Sequence, residues 1–164
     1  MIVFIFILLV SCKYVWEFRK IFKVFLFILG MDDCIFCKIV KGEIPAEKIY
    51  EDELILAFLD INPVNYGHVL VIPKEHYQWF YDVPDDVLSH LMIKSKKLIV
   101  AIKETLKADY VALAVVGIDV PHFHLHLIPR WLDDGLANFW PTKKYEQNQK
   151  KEYAEKIKMS LRRF

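Results

Sequence analysis

Three histidines alternate with apolar residues in Pro121-His122-Phe123-His124-Leu125-His126-Leu127-Ile128-Pro129. An extended segment sends successive side chains to opposite faces. His122, His124 and His126 therefore share one side, and Phe123, Leu125 and Leu127 share the other. The apolar side can enter a core, and the opposite side becomes a row of imidazoles. With an unperturbed pKa of about 6.5, an imidazole works as nucleophile, acid or base near neutrality. A neutral ring nitrogen can attack phosphorus to form a phosphoramidate, dividing one hard displacement into two easier ones. The attacking nitrogen must be unprotonated, so the other ring nitrogen must donate its proton to an acceptor that fixes the tautomer. An imidazole two residues along can hydrogen-bond the phosphoryl oxygens, where charge develops in the transition state. The plainer alternative is a polar strand edge that happens to be rich in histidine.

Cys34 and Cys37 form a CxxC pair, with Cys12 as the third cysteine. This is not a disulfide framework for a domain of this size. It suits a reducing compartment and leaves three readings open: a metal site, a redox pair or inert thiols. Thiolates and neutral imidazoles are preferred ligands of zinc, four of them in a structural site. The chain has 164 residues, a formal charge of +1 and 55% hydrophobic residues. That suits one domain with an ordinary core, and the near-zero charge argues against a dedicated nucleic-acid binder. The charge is uneven: residues 1–30 carry Lys13, Arg19, Lys20 and Lys23 against Glu17, and the remainder holds 18 basic against 20 acidic residues. A phosphate substrate would have to be drawn by local donors.

The elements that must carry these groups are legible in the pattern. Ile35 to Val40 reads as a short helical turn after the CxxC, and Lys41 to Pro45 as a loop punctuated by Gly42 and Pro45. Ile49-Tyr50-Glu51 and Leu54 to Asp60 read as strands, and a loop from Ile61 to Gly67 leads to a third, His68 to Ile72. Asp85 to Leu106 reads as a long helix, with Pro84 before it and Asp85 and Asp86 favourable to its dipole. Val87, Leu88, Leu91, Met92, Leu98, Ile99, Ile102 and Leu106 form its core-facing stripe. His90 lies off that stripe near Lys94 and Lys97, reads as solvated surface and receives no role. Tyr110 to Val116 is an apolar strand, Gly117 to Pro121 turns into the triad strand, and the Lys- and Glu-rich stretch from Thr142 reads as an exposed helix. The order predicts an α+β domain, an antiparallel sheet covered by a long helix.

The triad string resembles the histidine triad (HIT) signature, His-φ-His-φ-His-φ-φ with φ apolar. Cys34-Ile35-Phe36-Cys37-Lys38-Ile39, Ala57-Phe58-Leu59-Asp60-Ile61 and Gly67-His68-Val69-Leu70-Val71-Ile72-Pro73 resemble the family's earlier landmarks, in the same order. The likeness runs from about Met31 to about Arg130 and is weaker through the tail. It implies a HIT-like fold, a twofold homodimer, and a nucleotide hydrolase or nucleotidyl transferase acting at the α-phosphate of nucleotide conjugates. His124 would be the nucleophile, His126 would contact the phosphate or bridging oxygen, and His68 would support the nucleophile. Asp60 would hold the ribose hydroxyls, since a carboxylate can accept from both hydroxyls of a cis-diol. Phe36, Ile39 and Ile61 would sandwich the base. By themselves, His68 reads equally as a strand-start residue, Asp60 as a turn residue, and the three apolar side chains as core.

In CxxC-bearing bacterial relatives the pair binds zinc together with the His of Pro-x-x-His and the first triad histidine. Carried over, the zinc ligands are Cys34, Cys37, His76 and His122. One departure stands out. Where the best-known branch has an Asn and then Gly-Gln-Ser before the triad, this chain has Ala112 to Asp119, Ala-Leu-Ala-Val-Val-Gly-Ile-Asp. The side-chain donors are missing, and an ionised Asp119 cannot replace a hydroxyl donor. Backbone N–H groups around Gly117 can still cradle phosphate. This motivates a second reading, a nucleotide-binding or scaffold protein with vestigial catalysis. A zinc-ribbon interaction module is a third and weak reading, because no second CxxC follows.

Residues 1–30 pose a separate question. Met1 to Val10 and Ile21 to Leu29 are apolar runs, and neither reaches the roughly 20 residues that span a bilayer. Nothing basic precedes Lys13, as a secretory signal requires. Leu9-Val10-Ser11-Cys12 resembles a bacterial lipoprotein cleavage box but lacks that charge. Met31 begins what looks like the natural start of a HIT protein. The expected organisation is a hydrophobic extension over 1–30 (an over-extended start in preference to a membrane anchor), a HIT domain over 31–140 and a charged helical tail over 141–164. The expected location is the cytoplasm, with membrane anchoring through the extension as the alternative.

Overall fold

The computed structural model describes residues 34–136, 145–146 and 149–161. The expected extension over residues 1–30, with Cys12, lies outside them. The chain divides into two compact units, one ending at Trp131 and the other beginning at Leu132.

The first unit holds a short helix α1 (Ile35–Lys41), strands β1 (Lys48–Glu51), β2 (Ile55–Leu59) and β3 (Val69–Pro73), a long helix α2 (Asp85–Leu106), and strands β4 (Tyr110–Ala114) and β5 (Leu125–Arg130). The strands form one antiparallel sheet in the order β1-β2-β3-β5-β4. This is the expected α+β architecture, and the long helix keeps its expected bounds.

Side-chain alternation divides the core in two. Ile55 and Ala57 of β2, Val69 and Val71 of β3, and Phe123, Leu125 and Leu127 turn to one face and pack with Leu91, Leu98 and Ile102 of α2. Leu56, Phe58, Leu70 and Ile72 turn to the other, where Phe36, Ile39 and the two cysteines of α1 cover them. Sequence patterning placed one helix on the sheet, and α1 closes the second face. Central strands buried on both sides read as continuous apolar runs, which is why Val69 to Ile72 shows no polar alternation.

Within α2, Met92 and Leu106 were expected in the stripe but remain 42% and 37% exposed. The buried centre of the stripe is Ser95, whose hydroxyl donates to the Leu91 carbonyl at 2.8 Å. A back-bonded serine satisfies itself inside a helix, so a hydropathy pattern passes over it.

The second unit contains α3 (Gln149–Leu161), with an i,i+4 ion pair of 2.6 Å between Glu152 and Lys156 and an exposed Tyr153. Among the described residues no helix is long and apolar enough to cross a membrane.

Candidate active site and metal centre

The triad enters β5 as extended chain. His122 and His124 precede the first paired residue, Leu125, and Phe123 donates its N–H to the Tyr77 carbonyl at 2.6 Å. Phe123, Leu125 and Leu127 lie in the core under α2. The histidines occupy the opposite face, the α1 side, as their spacing predicts.

Cys34 occupies the N-cap of α1 and Cys37 its first turn, a spacing that puts both on one helix face. His76 follows the end of β3. One ligand atom from each of Cys34, Cys37, His76 and His122 lies within 4.8 Å of all the others. Cys34 Sγ is 3.4 Å and Cys37 Sγ 3.6 Å from His122 Nδ1, and Cys37 Sγ is 3.3 Å from His76 Nδ1. His122 donates its Nε2–H to the Pro73 carbonyl at 3.0 Å, so its Nδ1 lone pair faces the thiols. That outer hydrogen bond is the device that fixes the tautomer of a metal-ligating histidine. Burial pushes the His122 imidazole down to about 4 against the opposing Pro73 bond. Burial and the neighbouring Cys34 push the Cys37 thiol up to about 12. Two free, buried cysteines beside neutral imidazoles can hold a metal, and the cation would supply the charge that stabilises their thiolates.

His124 donates its Nδ1–H to the carbonyl of His122 at 2.6 Å, which leaves Nε2 as the unprotonated nitrogen. Its ring stands edge-on to Phe36, 5.1 Å between centroids, and 4.8 Å from the His126 ring. His126 pairs with Leu70 across β3 and β5. His68 lies two residues before Leu70 on the same face, which makes it the diagonal neighbour of His126. The Val64 N–H donates to His68 Nδ1 at 3.3 Å, so the His68 proton resides on Nε2 and is donated to His126 Nδ1 at 3.0 Å. His126 then carries its own proton on Nε2, a buried atom with no hydrogen-bond partner among the described residues. Burial lowers the His68 pKa, opposed by the Asp60 charge. Burial, followed by His124 and His68, pushes His126 down to about 4.

Asp60 follows β2 directly. Its N–H donates to the His68 carbonyl at 2.9 Å, and its Oδ2 lies 3.5 Å from His68 Nδ1. Its Oδ1 accepts the Asn62 N–H at 2.8 Å. The structure thus brings Asp60, His68, His124, His126 and Phe36 to one place. Ile39 is 6% exposed within the α1 core, whereas Ile61 is 92% exposed on the loop.

Sequence reasoning missed the groups that orient the ring nitrogens, because the Pro73 and His122 carbonyls and the Val64 N–H are backbone and carry no residue-type signal. It also missed His90. That side chain donates to Asp52 Oδ2 at 2.7 Å, beside Tyr50 and Lys94, and so ties α2 to the end of β1. The stretch that lacks side-chain donors keeps Val115, Val116 and Ile118 exposed, and the Trp79 ring lies against Gly117.

A family profile described as "HIT domain" matches residues 41–131, beginning after the CxxC. An uncharacterized HIT-like protein of Methanocaldococcus jannaschii is 49% identical over 106 residues, covering 62% of this chain and 82% of that protein. The adenosine 5'-monophosphoramidase HNT1 of Saccharomyces cerevisiae is 41% identical over 111 residues, covering 66% of this chain and 70% of the relative. Among solved structures, a Zn-bound histidine triad family protein from Mycobacterium smegmatis aligns with a TM-score of 0.62 and 34% identity, covering 80% of this chain and 99% of its own. The sequence signature, the fold and these matches agree, and the chain belongs to the HIT family.

Proposed function

We propose that this protein is a nucleotide hydrolase or nucleotidyl transferase that attacks the α-phosphate of nucleoside phosphate conjugates through His124. The observation that carries this reading is the His124 Nδ1–H bond to the His122 carbonyl, which leaves the Nε2 lone pair as the nucleophile. As Nε2 bonds to phosphorus, the bond from phosphorus to the leaving group breaks. Water then cleaves the N–P bond and releases the nucleoside monophosphate. The His126 Nε2–H, without a partner among the described residues, is a donor suited to a phosphoryl oxygen whose charge grows in the transition state. His68 holds His126 in that tautomer. Asp60 would accept the ribose hydroxyls. The base would lie against Phe36 and the outstanding Ile61, with Ile39 offering at most an edge from within the core.

Cys34, Cys37, His76 and His122 would hold zinc as a closed structural site, and their donor chemistry fits that ion. Zinc would supply cross-linking of α1 to the triad end of the sheet. The zinc in the Mycobacterium smegmatis relative supports this reading. The activity named for the yeast relative supports adenosine phosphoramidates as a first substrate class. A reducing cytoplasm suits two unpaired thiols, with residues 1–30 an extension of the 31–140 domain and 141–164 its helical tail.

The homodimer belongs to the same proposal. β4 is a sheet edge, and Tyr110 and Leu113 on it are exposed. Sedimentation equilibrium should give twice the chain mass at micromolar concentration, and a single-chain mass there would reject the pairing.

The nucleophile is tested with α-32P-labelled adenosine 5'-phosphoramidate and an alkaline quench. An acid-labile label should appear on the peptide containing His124. His124→Ala should lose both the label and turnover, the latter by about three orders of magnitude or more. Undiminished turnover in that variant rejects the assignment. The exposed Val115, Val116 and Ile118, in the stretch where the best-known branch carries side-chain donors, favour one second reading, a nucleotide-binding or scaffold protein with vestigial catalysis. Tight nucleotide binding with neither label nor turnover would establish it.

A further inference from the structure

We propose that Asp60, His68 and His126 form a second divalent transition-metal site, separate from the cysteine cluster, whose occupant excludes nucleotide from the active centre. The exclusion rests on the reading of this cleft as a nucleotide site, whereas the metal binding rests on geometry alone. One ligand atom from each of the three side chains lies within 4.8 Å of the other two, the same closeness that joins Cys34, Cys37, His76 and His122. The donor sets differ. A carboxylate with two imidazoles suits zinc, cobalt, nickel or ferrous iron, and lacks the thiolates that make the other site soft. Three protein ligands leave coordination positions open, where four close a structural site.

The site is present but latched. His68 Nε2 and His126 Nδ1, 3.0 Å apart, share the His68 proton. A metal ion needs both lone pairs, so the His68 proton must leave Nε2 for Nδ1, which lies 3.5 Å from Asp60 Oδ2. The ring then gives up the Val64 N–H it accepts at 3.3 Å. No net proton is released and no electron moves. His126 keeps its Nε2–H and coordinates through Nδ1.

Occupancy has two consequences for the nucleotide. The carboxylate assigned to the ribose hydroxyls becomes a metal ligand, and the His126 ring assigned to the phosphate loses the His68 hydrogen bond that orients it. Free metal would therefore act as a reversible inhibitor, competitive with nucleotide, at a concentration above that needed to fill the cysteine site.

Cobalt(II) added to the metal-free full chain distinguishes the two sites, because only the first has thiolates. The first equivalent should bring intense near-ultraviolet thiolate-to-cobalt charge transfer. A second equivalent should add only weak visible ligand-field bands. AMP should remove those bands from the unaltered protein and leave the charge transfer intact. Asp60→Asn and His126→Ala should weaken the second equivalent by at least the roughly tenfold that follows loss of an outer-shell partner, with retained charge transfer showing that each variant is folded. His90→Ala should bind both equivalents, although His90 and Asp52 form another His–carboxylate pair. Binding of one equivalent only, a second equivalent that survives both ligand variants or disappears with His90→Ala, or bands that AMP leaves unchanged would each overturn the proposal. Absent turnover alongside the two-equivalent pattern would instead count against the enzymatic reading and leave the metal site standing.

Discussion

His68 and His126 illustrate how residues of one type acquire different protonation from their surroundings. Both are displaced toward the neutral form, His126 to about 4, chiefly by burial, with His124 adding to the effect and Asp60 opposing it. In the unfolded chain each imidazole titrates near 6.5. Because the folded pKa is the lower one, the unfolded chain takes up the proton first on acidification. The contribution is therefore intact above pH of about 6.5 and is lost as pH falls toward 4. The thermal midpoint should decline over that interval, and His126→Gln should decline less steeply. A wild-type midpoint that is flat or rising between those pH values would contradict the burial-driven shift.

At the scale of elements, the loop between β2 and β3 is what places Asp60 and His68 against β5. Asn65 anchors it by donating its side-chain amide to the Pro129 carbonyl at 2.9 Å. Gly67 permits the turn into His68, with φ of 90°, and a Cβ there would collide with the Leu106 side chain at the end of α2. Gly67→Ala should therefore cost about 1–3 kcal/mol through backbone strain and overpacking. Denaturant unfolding measures it, and turnover should fall because the His68–His126 bond depends on this loop. An unchanged midpoint with unchanged turnover would show that Leu106, which is partly exposed, yields without disturbing the loop. The helices contribute differently. α2 buries a stripe under one sheet face, whereas α1 carries the two cysteines and Phe36 onto the other and completes the wall beside His124.

At the scale of the molecule, the cysteine–histidine cluster joins segments far apart in the chain: α1, the end of β3 and the approach to β5. The four side chains could hold a cation, which would cross-link these segments in the folded state. Binding to the folded state alone stabilises it by mass action. Treating metal-loaded protein with a strong chelator should lower the thermal midpoint by several degrees, and zinc should restore it. A midpoint indifferent to both would remove the structural role. Cys37→Ser should abolish the response to zinc.

The family, the antiparallel sheet, the bounds of the long helix and the facing of the three histidines were all legible in the amino-acid order. They depend on local periodicity and on motifs whose residues are neighbours in the chain. The fourfold clustering of Cys34, Cys37, His76 and His122 was legible only through the resemblance, since no spacing rule joins Cys34 to His122. What the tertiary structure alone decided is which ring nitrogen carries each proton. The Pro73, His122 and Val64 backbone groups make that choice, and every residue presents the same backbone groups whatever its type. Folding likewise recruited Ser95 into the stripe of α2 and His90 into a polar tie. His90 found a partner, Asp52, that becomes adjacent only once the chain has folded, whereas Ser95 enters the core because its hydroxyl is satisfied within its own helix.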